Sequence, residues 1–325
     1  MEKCSLWTGD GLSMDSFNIQ TSMGLRGIGL ENESLKVTIL PEYGANVWSI
    51  FDKKRGREVL WHHPTLKPGR FAEHDRYDNT FAGGWHDIFP SDIEEHWKGK
   101  LTSDHGELWY RTWDCERIDN SSRYGWQLTV SGLPSGARVS KWISIDPVEP
   151  CLTVDYEIQN EGEATLDFMF KLHAAIQVVE GDRILLPTSR VYSEVAELPS
   201  RVTEGHWYDW PYTEEKDIDL SLVTGQEAGV SELLIGAASN HGICGISKTR
   251  EGIDYVWEYD PLDLPYPWLF TSYGGWQDTY LAIVEPANGY PLGFYAAKET
   301  GVLRSLERGQ RFKTRVQFKI LEDAK

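Results

Sequence analysis

The chain has 325 residues, with 50 acidic and 32 basic side chains and a formal charge of −18. That charge opposes nucleic acid and anionic membrane surfaces as partners, and a hydrophobic fraction of 40% belongs to a globular chain and not a disordered one. No apolar run approaches the ~20 residues that span a bilayer. Residues 1–23 hold no apolar segment of the secretory kind. Cys4, Cys115, Cys151 and Cys244 lie far apart and form no CxxC pair. The expectation is a cytoplasmic protein with reduced thiols, bound to neither membrane nor nucleic acid.

Taken in chain order, the elements read as strands. In Leu35-Lys36-Val37-Thr38-Ile39 the odd positions are apolar. Asp52-Lys53-Lys54-Arg55-Gly56 is a turn. His62 and His63 are neighbours, and neighbours on a strand point apart, which argues against a two-ligand metal site. From Leu66 to Ser103 runs a long loop-like stretch, and long loops in β proteins tend to carry function. Inside it, Phe81-Ala82-Gly83-Gly84-Trp85-His86-Asp87 is either a tight turn with a buried aromatic or a place where paired glycines let backbone approach a ligand, with Trp85 able to stack on it. Asp92, Glu94 and Glu95 form an acidic cluster of a kind that 50 acids produce by chance. His105-Gly106 stands at the entry to a strand ending at Trp113.

In Leu152–Ile158 the even positions are apolar. In Leu166–His173, Leu166, Phe168, Phe170 and Leu172 share one face, while Asp167, Met169, Lys171 and His173 share the other. That second face suits the lining of a groove, where Lys171 would depress the His173 pKa. A second long loop spans Ser200–Leu220. Asp263–Phe270 is rich in proline and aromatics, and with Gly274-Gly275-Trp276 it is expected to form a groove wall. Tyr280–Val284 is apolar on both faces, and Glu285 follows on the face of Leu281 and Ile283 before Pro286, which should end the ladder. In the last strand Phe312, Val316, Phe318 and Ile320 oppose Arg311, Lys313, Arg315 and Lys319. The pattern predicts an all-β protein, a large antiparallel β-sandwich in one domain over residues 1–325, with roughly the first 25 residues peripheral. Its 14 Trp, 15 Tyr and 11 Phe serve either a large core or flat platforms on which sugar rings stack.

These pieces together resemble the aldose 1-epimerase (galactose mutarotase-like) family. The resemblance rests on Glu31–Ala45 with its Leu40-Pro41 and Gly44-Ala45, on Ser49–Leu60, on His105-Gly106 and on His173. It continues through Val284-Glu285-Pro286 with Pro291, and Leu306–Gln310 before the last strand. It implies a β-supersandwich with a sugar groove on one concave sheet, and interconversion of α and β anomers without metal or cofactor. By that resemblance Glu285 is the base for the C1 hydroxyl, His173 the acid for the ring oxygen, and His105 a hydrogen-bonding partner near that oxygen. Arg76, Trp85, His86, Asp209, Trp268 and Trp276 are then the candidates for sugar binding, in a monomer or homodimer. The chain departs from the family's pattern in three places: no Asn-Arg pair precedes the first histidine, Ala174-Ala175-Ile176-Gln177 follow the second, and the substrate aspartate has no clear counterpart, Asp209 in His206–Trp210 standing nearest. A hexose-6-phosphate mutarotase would need arginines such as Arg70, Arg76 and Arg111 gathered at the phosphate. A sugar-binding or sugar-sensing protein would keep the aromatic platform without the chemistry, and an accessory domain of a lyase or glycosidase is a third class.

Overall fold

The computed structural model describes residues 2–7, 13–120, 123–197, 199–213 and 217–322. The period-2 segments become strands because each presents one apolar row to a core and one polar row to water. Leu35–Leu40 buries Leu35, Val37 and Ile39. Arg311–Glu322 buries Phe312, Val316, Phe318 and Ile320. Its outward Lys313 and Arg315 pair with Glu157 at 3.0 Å and Asp155 at 2.6 Å on the neighbouring strand Cys151–Asn160.

Two antiparallel sheets carry the architecture, one of 13 strands and one of 8. From its middle to one edge the larger sheet runs, in spatial order, Trp85–Ile88, Lys171–Ile176, Tyr280–Ala287, Tyr266–Tyr273, Val230–Gly236, Arg190–Glu197 and Trp207–Asp209. The smaller sheet includes Ala137–Ile145, Cys151–Asn160, Arg311–Glu322 and Ile253–Tyr259 side by side. The two pack face to face, with Leu172, Ala174, Leu269 and Val284 meeting the layer of Val139, Val154, Trp257 and Phe318. Among the described residues there is one α-helix, Phe294–Glu299, and no helix is long and apolar enough to cross a membrane. Cys115, Cys151 and Cys244 are free thiols, and the Cys4 side chain lies outside the described residues.

Several expectations need correction. The stretch 66–103 is not one loop: it holds a 3-10 turn at Tyr77–Asn79 and the central strand Trp85–Ile88. Four residues flanked by glycine and proline are too few to display a period. Gly83 and Gly84 let backbone approach protein, not a ligand, since a Cβ would sit 2.1 Å from Trp61 O or 2.3 Å from Asn46 Oδ1. Pro286 does not end its ladder, which runs to Ala287 with Pro286 opposite Pro267. The segment 166–173 breaks after Phe168: Leu166–Phe168 pairs with Arg304–Leu306 in a separate small sheet, and the large sheet resumes at Lys171. No strand ends at Trp113; the next begins at Asp114. The N-terminal segment supplies Glu2–Trp7 and Ser13–Gln20 at one edge of the large sheet, at its periphery.

Candidate functional site

The site grows from the register of four neighbouring strands. His86 pairs with His173. Lys171 faces Ala287 and Ala174 faces Val284, which sets His173 opposite Glu285. Glu285 in turn pairs with Trp268. His86, His173, Glu285 and Trp268 therefore form one row, and the alternate positions Leu172, Ala174, Val284 and Leu269 point to the main core. Side chains opposed in such a row stand roughly 5 Å apart at Cβ, so His173 and Glu285 can reach one small group from two sides.

The histidine end is built on Tyr77. Its hydroxyl lies 2.8 Å from His86 Nδ1 and 3.3 Å from His173 Nδ1. His105 stacks on the Tyr77 ring at 4.0 Å and meets His173 edge to face at 5.7 Å. The loop carrying His105 is zipped to the segment after Trp85–Ile88: His105 N donates to Asp92 O at 2.9 Å and Glu107 N to Phe89 O at 2.7 Å. That approach requires Gly106, at φ +74°, because a Cβ there would lie 2.1 Å from Phe89 O. Asp104 accepts from His105 Nδ1 at 2.9 Å. Burial pushes the Asp104 carboxyl up, but His105, the Tyr77 backbone and Arg76 outweigh it and leave it low. His173 is 5% exposed, and burial holds it well below the ordinary histidine value, with His105, Lys171 and His86 adding to the effect. Lys171 thus acts on His173 as expected, but burial is the larger cause. Burial, with Lys141 and His105, brings His86 down to about 3. Both imidazoles are neutral at physiological pH. If His86 Nδ1–H donates to the Tyr77 oxygen and Tyr77 donates to His173 Nδ1, the remaining His173 proton is on Nε2.

The carboxylate end is charged and buried. Glu285 is 2% exposed, with Oε2 2.7 Å from Lys171 Nζ. The same ammonium lies 3.1 Å from Asp92 Oδ1 and 4.2 Å from the centre of the Trp268 ring. Burial raises Glu285; Lys171 opposes the rise without cancelling it, and Asp92 adds to it. Burial alone would lower Lys171, but its two carboxylates reverse the sign.

The proposed sugar-binding residues scatter. His86 lies beneath Tyr77, fully buried, and reaches His173 only through that hydroxyl. Trp276 is half-buried beside Phe270, on the cluster of Tyr77, Phe81, Trp109 and Leu281. Arg76 is exposed at the rim near Asp104. Trp85 faces the opposite way, into the main core against Trp257 at 6.1 Å, because it alternates with His86 on one strand. Trp268 is on the right face but fully buried, so it supports Lys171 and offers no stacking surface. Asp209 is 93% exposed, pairs with Arg190 at 3.6 Å, and lies four strands from Glu285, roughly 19 Å along the sheet. Tyr77 and the role of Asp92 escaped the sequence: Tyr77 sits in a three-residue turn, and Asp92 was one acid among many.

Among the described residues no group of three or more His, Cys, Asp and Glu side chains could hold a metal ion. A cavity of about 380 Å³ lies away from the row, lined by Trp97, Lys100, Ser103, Glu107, Ser135 and Glu163 among others. Glu107 is buried there, bonded to Ser135 Oγ and, at 3.1 Å, to Ser135 N, and burial lifts its carboxyl to about 7. A carboxyl raised above its unfolded value costs stability as pH rises from about 4.5 to about 7. Glu107→Gln should therefore gain on the wild type by up to ~3 kcal/mol in urea unfolding at pH 8 and nothing at pH 4.

No protein-family model and no curated protein matches the sequence. Solved structures do match. A candidate aldose 1-epimerase from Klebsiella pneumoniae superposes with TM-score 0.75 at 13% identity, over 96% of this chain and 84% of that one. A galactose mutarotase-like protein from Clostridium acetobutylicum gives 0.67 at 13% identity, over 96% and 99%. One from Lactobacillus casei gives 0.63 at 17% identity, over 91% and 100%. With two antiparallel sheets packed face to face and these neighbours at near-complete coverage, the chain has the galactose mutarotase-like fold.

Proposed function

We propose that this protein is a mutarotase-type isomerase that interconverts the α and β anomers of a free aldose. The observation that carries the reading is the His173–Glu285 pair, buried and opposed across adjacent strands, with His105 stacked beside it on Tyr77. Glu285 takes the C1 hydroxyl proton and His173 gives one to the ring oxygen. The C1–O5 bond breaks, the open-chain aldehyde turns about C1–C2, and the reverse transfers close the other anomer. Neutral His173 is a weak acid, and a Tyr77 hydrogen bond to Nδ1 supports the charge that develops on it as its proton leaves. Free sugars fit better than phosphorylated ones, because the arginines do not gather. Arg70 is spent on Glu42, Arg111 donates to Gly132 O at 3.1 Å, and Arg76 stands beside Asp104.

The test is polarimetry of freshly dissolved α-anomers of glucose, galactose, xylose, arabinose, fucose and rhamnose, with and without protein. Acceleration on at least one is expected; none on any, with folded protein, sinks the reading and favours a sugar-binding role. The pH profile follows from the two burials. Glu285 is raised above 4.5, so kcat/KM should fall on acidification through an apparent pKa above that value. His173 is neutral well before neutrality, so no alkaline limb should appear between about pH 6 and 8. A limb near 6.5 would mean that His173 works as an imidazolium.

A further inference from the structure

Lys171 sits two residues before His173, on the same face of the same strand, where an unpaired ammonium would not be tolerated. Each of its partners is itself pinned. Asp92 takes the His105 backbone N–H on its own carbonyl, so one residue ties the first histidine to the lysine. The Trp268 indole donates to Gly289 O at 3.2 Å, which fixes the ring beneath the ammonium. The ion pair occupies Glu285 Oε2. Among the described residues no side chain donates to Oε1. The other ionisable groups facing this carboxylate are His173 on the lysine's strand, His105 and Tyr77 from the loop and turn, and Asp92, while Glu194 from Arg190–Glu197 acts on Lys171 and Asp92. One of them, Asp92, is a further carboxylate that competes for the ammonium.

We infer that Lys171 is a positioning residue: it holds Glu285 by Oε2, keeps the buried carboxylate ionised, and leaves Oε1 to take the proton of the anomeric hydroxyl. Its ammonium neither touches the sugar nor transfers a proton. The inference rests on the anomer-interconverting reading above for its catalytic consequence, but the ionisation of Glu285 can be read without any substrate. Asp92 has the opposite effect: it shares the cation and so weakens its hold on Glu285.

The experiment uses full-length wild type, Lys171→Met, Lys171→Arg, Asp92→Asn and Glu285→Gln. Two readouts are taken: pH–rate profiles on the best aldose, and ¹³C NMR titration of carboxyl-labelled glutamate, with the signal missing in Glu285→Gln assigned to Glu285. Lys171→Met should cut kcat at pH 7 by ~10²-fold with KM nearly unchanged, and move the acid limb and the Glu285 titration up by a unit or more. Lys171→Arg should restore most of both. Asp92→Asn should move them down, which keeps the idea testable if Lys171→Met fails to fold. A purely structural role would lower thermal stability and rate at every pH with the limb unmoved, and that result overturns the inference. If no aldose is turned over, the mutarotase reading fails by itself. The NMR titration still decides Lys171: an upward shift supports it and an unchanged Glu285 titration overturns it.

Discussion

Glu285→Gln is expected to lower kcat for mutarotation of the best aldose by about 10³-fold, within the range a positioned proton transfer contributes, and to change KM by less than about threefold. The substitution is nearly isosteric and removes the proton acceptor while leaving an amide oxygen for Lys171. Lys171 keeps its 3.1 Å partner Asp92, so the buried ammonium stays paired and the fold should hold. His173→Asn should lose a similar factor, and the double variant little more than either alone, because the acid and base act in one step. Polarimetric rates with an unfolding curve for each variant check this. A Glu285→Gln protein that is folded and within tenfold of wild type would place the base elsewhere.

The fold was legible because its signal is local. Alternation in Leu35–Leu40 and Arg311–Glu322 states both the strand and the buried face, and both sheets repeat that statement many times. The candidate site was legible only where a polar residue stood in a recognisable order against such a pattern, as His173 and Glu285 did. It failed where geometry depends on register between distant strands. Trp85 and His86 looked like neighbours in one loop, yet on a strand they must face opposite sides, and only the pairing of His86 with His173 says which one joins the His173–Glu285 row. Lys171 and Asp92 are 79 positions apart in sequence, and no spacing rule connects them. Trp268 was chosen for its aromatic surface, but burial depends on what packs above it, and Lys171 with Tyr266, Tyr290 and Leu292 covers it. Trp268→Ala would therefore test packing, whereas Trp276→Ala, at a half-buried ring, tests sugar contact.

Lys141→Met should be the most destabilising substitution outside the row, by about 3–5 kcal/mol, because it strips one partner from a buried ion pair. Lys141 projects from the smaller sheet and Asp87 from the larger, both 1% exposed, with Nζ 2.7 Å from Asp87 Oδ2. Tyr156 donates to the other Asp87 oxygen at 2.7 Å, and the ammonium also lies 5.2 Å from the Trp113 ring. Without Lys141 the carboxylate would keep one hydrogen bond in a dry core. Replacing both partners with apolar groups removes the charge as well, so Lys141→Met with Asp87→Leu should recover most of the loss. Urea unfolding of the two single variants and the double variant closes the cycle, and a strongly negative coupling energy is expected. The same pair bears on the site, since Asp87 adjoins His86 on one strand and Lys141 helps hold His86 low. In Lys141→Met the His86 pKa should rise from about 3, measurable by NMR of the imidazole. If stability and the His86 titration are both unchanged, the two sheets are held by apolar packing alone and the inter-sheet charge pair is incidental.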